Sequence, residues 1–247
     1  PEWIHEAAQS GSQQEAAEIL ALSGLVELFT GDLEHARKLI AEGRSHWQMP
    51  RYTFPEFYLD SAEIPLLLAQ GEYSRAAEQI DRSLAAAWRW QVHRIVLARD
   101  DLLDLHARSF ALLAIHTDDR RAAGLARASA RKLARSAHPT SKGRAAVVVA
   151  GLSQGPEAAD RLWRAARSHF AASNMRAHHA AVALRLARIC GDDEAKQLRA
   201  EAEAYFASEG VAEPERLLEI LVPAPAWFRK LLGEAAPNEP APESLRT

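Results

Sequence analysis

Apolar side chains recur at spacings of three and four along almost the whole chain, alanine and leucine dominate them, and β-branched residues are sparse. No sustained period-two run bounded by turn residues breaks in, so the pattern predicts an all-helical protein. Five short punctuators interrupt it: Thr30-Gly31-Asp32, Gln70-Gly71-Glu72, Thr117-Asp118-Asp119, Gln154-Gly155-Pro156 and Gly191-Asp192-Asp193. Glycine suits the left-handed residue that ends one helix, and Asp, Glu or Pro suits the first turn of the next. Each punctuator therefore ends a helix and caps its successor. This places paired helices near 13–29 and 32–46, 56–69 and 72–90, 93–116 and 119–136, 142–152 and 156–172, and 174–190 and 193–208, with short ones near 213–221 and 225–232.

Successive junctions lie 36 to 47 residues apart, the range in which repeats of helix pairs occur. The expected architecture is an all-α right-handed α-solenoid of about five degenerate helical hairpins over residues 1–233. Trp227-Phe228 with Leu231-Leu232 reads as the C-terminal capping helix that seals the last hairpin's apolar edge. Residues 234–247 hold Pro237, Pro240 and Pro242 with three glutamates and little apolar surface, so a disordered tail is expected there.

The stretch Gly24 to Gly43 resembles a tetratricopeptide repeat, with Gly24 at the small position of the first helix, Gly31-Asp32 at the turn, and Ala36, Ile40 and Gly43 at the packing positions of the second. The pattern recurs in Gly71-Glu72-Tyr73, Ala76, Ile80 and Ser83, and in part as Ala159, Trp163 and Ala166. Further on, Arg161 to Phe170, Ala171 to Met175, Gly191-Asp192-Asp193-Glu194, Glu209-Gly210-Val211 and Pro214-Glu215-Arg216 are similar to the C-terminal repeat region of large bacterial serine/threonine kinases, the myxobacterial ones especially. Such regions follow a kinase domain, whose own glycine-rich loop, His-Arg-Asp loop and Asp-Phe-Gly are not in this sequence. The resemblance implies a cytoplasmic, non-catalytic signalling arm, and opening on Pro1 in mid-pattern fits a fragment of a longer chain or equally the removal of an initiator methionine before proline. It also implies a concave groove lined by first helices, at Leu25, Phe29, Tyr58, Arg108, Leu112 and His116. A protein or peptide partner, as a helix or extended segment, is expected to lie there, with groove arginines clamping its carboxylates.

Composition adds limits. The single cysteine, Cys190, excludes an intrachain disulfide and a thiolate cluster and favours a reducing compartment, with the cytoplasm the default. The longest apolar run, residues 145–152, is far short of a membrane span, so no membrane partner is expected. The formal charge of −3 is a cancellation. Residues 1–119 carry −9, residues 120–190 carry +12 with only Glu157 and Asp160 acidic, and residues 191–247 carry −6. Arg120, Arg121, Arg127, Arg131, Lys132 and Arg135 span about 140° of one helix, a single basic face. Arg161, Arg164 and Arg167 follow at i, i+3, i+6 on the next outward-turning helix. Three readings of this block stay open: a solvated face, a surface complementary to the acidic flanks or to another acidic protein, and a nucleic-acid or other polyanion site.

No constellation points to catalysis, a metal or a cofactor. His178 and His179 are adjacent, hence about 100° apart on a helix, which with His169 or Cys190 makes a poor zinc set. Cys190 ends a helix, where a thiolate is not favoured, and reads as a small buried hydrophobe. Asp100-Asp101 lies inside a long helix beside Arg99 and Asp192-Asp193 at a helix start, both structural positions. Trp163 reads as core, and Trp88 and Trp90 cannot share a helix face, so one of the two is expected to be an exposed anchor. The expected function is that of a scaffold or regulatory arm, with polyanion binding as the alternative.

Overall fold

Gly31 closes the first helix in left-handed backbone, with φ at 109°, and returns its N–H to the Glu27 carbonyl. The next residue, Asp32, caps the second helix by accepting from the His35 N–H at 2.9 Å. Asp118 and Asp119 repeat the device, the first left-handed at φ 54° and the second accepting from the Arg121 and Ala122 N–H groups. Local chemistry of this kind turns the chain sharply without leaving helix-end groups unpaired.

A computed structural model describes residues 12–49, 51–231 and 233. Among them the chain forms α1 (Gln13–Thr30), α2 (Leu33–His46), α3 (Phe54–Ala69), α4 (Tyr73–Arg89), α5 (Val96–Thr117), α6 (Arg120–Ala134), α7 (Pro139–Gly151), α8 (Pro156–Ala172), α9 (Arg176–Leu186), α10 (Asp192–Ser208), α11 (Pro214–Leu221) and α12 (Ala226–Leu231). No strand occurs among the described residues, and no helix there is long and apolar enough to cross a membrane. The tail expected at residues 234–247, with Trp3 and Leu232, lies outside the described residues.

Three boundaries differ from the periodicity by three residues or more, one of them the start of α7, at Pro139 rather than near 142. A 3-10 turn, Val92–Arg94, follows left-handed Gln91 and delays α5 to Val96. α9 stops at Leu186 because the next N–H groups, of Arg188 and Ile189, turn to i−3 carbonyls.

Through α10 each helix packs against its sequence neighbour, and the first helices also pack on one another in order: α1 on α3, α3 on α5, α5 on α7. Small residues permit this. A methyl at Gly24 would stand 2.7 Å from Ile40, one at Gly43 2.9 Å from Leu59, so α1, α2 and α3 approach more closely than alanine allows. Arg44 of α2 ties the same junction, donating to Glu56, Asp60 and Glu63, which share one face of α3. Two apolar cores result. The first runs through α1 to α7 on Leu59, Leu68, Ile80, Leu102 and Leu133, the second through α7 to α12 on Trp163, Phe170, Phe206 and Phe228.

Both Trp88 and Trp90 are exposed, at 44% and 40%. The face argument accounts for one of them; α4 ends at Arg89, so Trp90 lies past the last turn, free of the helix's periodicity. Trp163 is fully buried, edge-on to Phe228 at 5.5 Å.

The C-terminal segment was expected to cap the last hairpin. Instead it runs back across the first helices. Ala212 N–H donates to the Thr30 carbonyl at the end of α1, α11 packs on α3 and α9, and Trp227 Nε1 reaches the Ser153 carbonyl beyond α7. Residues 211–228 thus form a strap whose own Leu217, Leu218, Ile220, Leu221, Val222 and Phe228 are all buried.

Candidate functional site

On α5, Asp101, Asp104 and Arg108 fall at i, i+3 and i+7, which puts them on one stripe. That stripe faces the strap. With Ser61 of α3, Arg144 of α7 and His178 of α9 it lines a cavity of about 230 Å³, walled on its apolar sides by Leu25 and Phe29 of α1 and by Ile220 and Leu221 of α11. Residues more than a hundred positions apart therefore meet there.

The charges are strongly coupled. Arg108 donates Nε and Nη2 to Asp104 Oδ2 at 3.1 and 2.8 Å, and Nη1 to the Ile220 carbonyl at 3.1 Å. Arg144 pairs with Asp101, and its Nε stands 3.6 Å from Asp104 Oδ2. Burial alone would raise the Asp104 carboxyl, but Arg108 and Arg144 outweigh it and hold the group below the usual carboxylate range. Burial, reinforced by Arg144 and Arg108, pushes His178 down to about 3, so its ring is neutral. Four buried polar atoms at this cavity lack a hydrogen-bond partner: Asp104 Oδ1, Arg144 Nε, His178 Nδ1 and Ser61 Oγ.

The six residues expected to line a groove divide. Leu25, Phe29 and Arg108 do line the cavity, although Arg108 is spent on Asp104 and the strap carbonyl rather than free to clamp a partner. His116 stacks on Tyr73 at 4.0 Å and meets Glu219 of α11 at 3.2 Å. Tyr58, half-buried, packs against the Phe57 ring at 5.3 Å, while Leu112 is fully buried in the first core and lines no surface. The carboxylate clamp exists within the chain. Arg185 Nε donates to the Val222 carbonyl at 3.0 Å while Nη2 meets Glu219 at 3.3 Å.

The basic residues divide as well. Arg120, Arg121, Arg131, Lys132 and Arg135 are exposed along α6 and its C-cap, without an ion-pair partner among the described residues, and Arg127 beside them donates to the Leu152 carbonyl. Arg161 is likewise exposed and unpaired among the described residues. Arg164 and Arg167 are not free anion sites: the first holds Asp160 and Glu194, the second Glu201 at 2.6 Å. Glu194 and Glu201 come from the chain's own acidic flank, in line with the second of the three readings of the block, and Asp160 from the block itself.

Asp100 is a structural carboxylate, accepting from Ser136 and Ser141 at 2.7 Å each and so tying α5 to the turn before α7 and to α7 itself. Cys190 is half-buried rather than fully buried, because Arg164 reaches its Sγ at 3.3 Å; burial and Glu194 raise its thiol. Glu27, Asp32 and His35 bring ligand-type atoms together, yet Asp32 is engaged as the cap of α2.

Sequence reasoning missed Asp104, Arg144, Ser61 and Arg185 as a group. The Asp104-Arg108 spacing at i, i+4 was legible as an ion pair, but nothing local marks it as an inward-facing one. No protein-family model, curated protein or solved structure matches the chain.

Proposed function

We propose that the chain is a tetratricopeptide-like right-handed α-solenoid of five degenerate hairpins that serves as a non-catalytic protein-interaction scaffold, the regulatory arm of a larger bacterial signalling protein. The observation that carries this reading is α11. An eight-residue amphipathic helix lies across the first helices with its leucines and isoleucine buried and its carboxylate, Glu219, between His116 and Arg185. That is the chemistry by which a groove takes a helix from a partner, with apolar anchors at one face and a charged pair fixing the register. A partner helix of like composition takes the place of α11 and leaves the rest of the array as it is.

A peptide of residues 211–228 tests this. It should bind in trans to a chain whose strap is loosened by Glu219→Ala, and about tenfold more weakly to the wild type, where α11 competes for the face. No binding to the loosened chain overturns the reading.

The unpaired cations of α6 favour a second reading, in which an acidic protein or a nucleic acid lies along that face. Affinity for a generic duplex should then fall steeply with salt, and a triple Arg127→Gln, Arg131→Gln and Arg135→Gln variant should flatten the slope by about three units. Absence of duplex binding at low salt removes the nucleic-acid form of this reading.

A further inference from the structure

The corner between α4 and α5 carries apolar surface that the rest of the fold leaves uncovered. Gln91, left-handed at φ 64°, turns the chain there, and a 3-10 turn follows it before α5 begins. Trp88 and Trp90 precede the bend and Ile95, Val96 and Leu97 follow it, all exposed, Leu97 at 72%. Exposed apolar residues scattered singly are ordinary, whereas a cluster on one corner marks a surface that something else covers. Cations accompany them. From Arg82 to Arg99 the sequence has four arginines and no carboxylate. Arg89 and Arg94 are exposed without an ion-pair partner among the described residues, and Arg51 and Arg89 stand over the Trp90 ring at 5.6 and 5.7 Å. The end of α6 lies close by, since Ser136 donates to Asp100 in the opening turns of α5, and it adds Lys132 and Arg135.

The arrangement favours a fluid phase over a protein as the cover. Ile95, Val96 and Leu97 are consecutive, so at about 100° per residue they fan over about 200° around the start of α5. A partner helix or a flat protein face touches one side of such a corner and leaves the others wet. Lipid has no fixed shape and closes over all of them. The residue types also match the layers of a bilayer, with aliphatic side chains for the acyl region, tryptophan for the interface and arginine for the phosphates. α5 starts at Ile95 with no side-chain cap and no acidic residue in its first turn, so its first N–H groups call for an acceptor that phosphate oxygens supply. We propose that the α4–α5 corner binds the surface of a bilayer containing anionic lipid, with Ile95, Val96 and Leu97 inserted and Arg51, Arg89 and Arg94 against the headgroup phosphates. The contact is with one leaflet and needs no spanning helix. It uses neither α11 nor the far end of α6 at Arg120, so it stands apart from the partner-helix reading.

Vesicle sedimentation with the whole chain tests this. Vesicles of phosphatidylcholine with about a third phosphatidylglycerol should bind the protein, and phosphatidylcholine alone at least about tenfold more weakly, the difference shrinking as salt rises. Tryptophan emission should shift to the blue on binding. Ile95→Ser with Leu97→Ser should cut affinity at least about tenfold, and Arg89→Gln with Arg94→Gln about twentyfold, each with the far-UV spectrum unchanged. Leu97→Ser alone serves should the double variant not fold. Val26→Ser, also exposed but on α1, and Arg120→Gln with Arg121→Gln, at the far end of α6, should bind as the wild type does. Capture of poly-L-glutamate without vesicle binding would give the corner to an acidic protein and overturn the proposal. So would failure to bind vesicles at all, equal binding to both kinds, undiminished binding of the Ile95 and Leu97 variant, or equal losses in the Arg89 and Arg120 variants.

Discussion

The arginines of α6 and those of α7, α8 and α9 come from one basic stretch of sequence and meet opposite fates. Along α6 all but Arg127, which reaches the Leu152 carbonyl, stand in solvent, with Gly124 and Ala128 between them and no carboxylate opposite among the described residues. Downstream, Arg144 pairs with Asp101, Arg164 with Glu194, Arg167 with Glu201, Arg176 with Glu209, Arg185 with Glu219 and Arg188 with Glu215. Every one of those carboxylates belongs to the acidic flanks. The +12 of the block therefore overstates its free charge, since much of it neutralises the chain's own ends. The lesson is that charge density along a sequence identifies where anions are needed and not who supplies them.

The sharpest test of that contrast is Arg185→Ala. It removes a 3%-exposed side chain that donates to Val222, pairs with Glu219 and lies 5.5 Å from the Phe228 ring, taking a donor from a buried carbonyl and one of its partners from Glu219, which keeps His116. Urea denaturation should show a loss of about 3–5 kcal/mol. A loss below about 1 kcal/mol would mean that the strap is held by its leucines alone. The inner arginines also govern pH dependence. His178, neutral and held near 3 by burial beside Arg144 and Arg108, takes up its proton far more readily when unfolded. Stability from this group is complete above the ordinary histidine value near 6.5 and is lost as pH falls from there toward 3. A denaturation series across that window should slope downward with acid, and His178→Leu should flatten it. A smaller effect is expected from Gly151→Ala. A methyl there would lie 2.8 Å from the Pro223 carbonyl, and backbone cannot swing away as a side chain can. Stability should fall by about 1–2 kcal/mol, with amide exchange quickened in residues 211–228.

These tests concern what the sequence left hidden. Helix number and most boundaries were legible, because turn chemistry at Gly31, Gly71 and Asp119 is local and strong. The close approach at Gly24 and Gly43 was legible too, as small residues at fixed offsets from a turn. The return of the strap was not. Leu217, Leu218 and Leu221 predict that α11 buries one face, but an eight-residue helix looks the same whether it caps the last hairpin or crosses to α3. The cavity was illegible for the same reason, since it is assembled from α1, α3, α5, α7, α9 and α11, and only the crossing brings them together. His178 was rightly a poor zinc ligand on spacing, yet its burial among arginines depends on contacts made by residues 34 to 74 positions away.

On the surface the expected effects shrink. Arg164, half exposed between Asp160 and Glu194, should cost no more than about 1 kcal/mol when changed to Ala, and less in high salt. The α6 cations carry the contrast to its limit. Arg127, Arg131 and Arg135 succeed one another at i, i+4, so each repels the next by a few tenths of a kcal/mol. Arg131 and Lys132 also sit in the last turn, where the helix dipole favours positive charge by a similar amount. The two terms nearly cancel, and Arg131→Gln should change stability by less than about 0.5 kcal/mol. Salt separates them: it screens the repulsion between exposed guanidinium groups, so raising ionic strength should stabilise the wild type slightly more than the Gln variant. A loss of more than about 1 kcal/mol on Arg131→Gln would instead reveal a carboxylate held against α6, and the distinction between the two arginine groups would then dissolve.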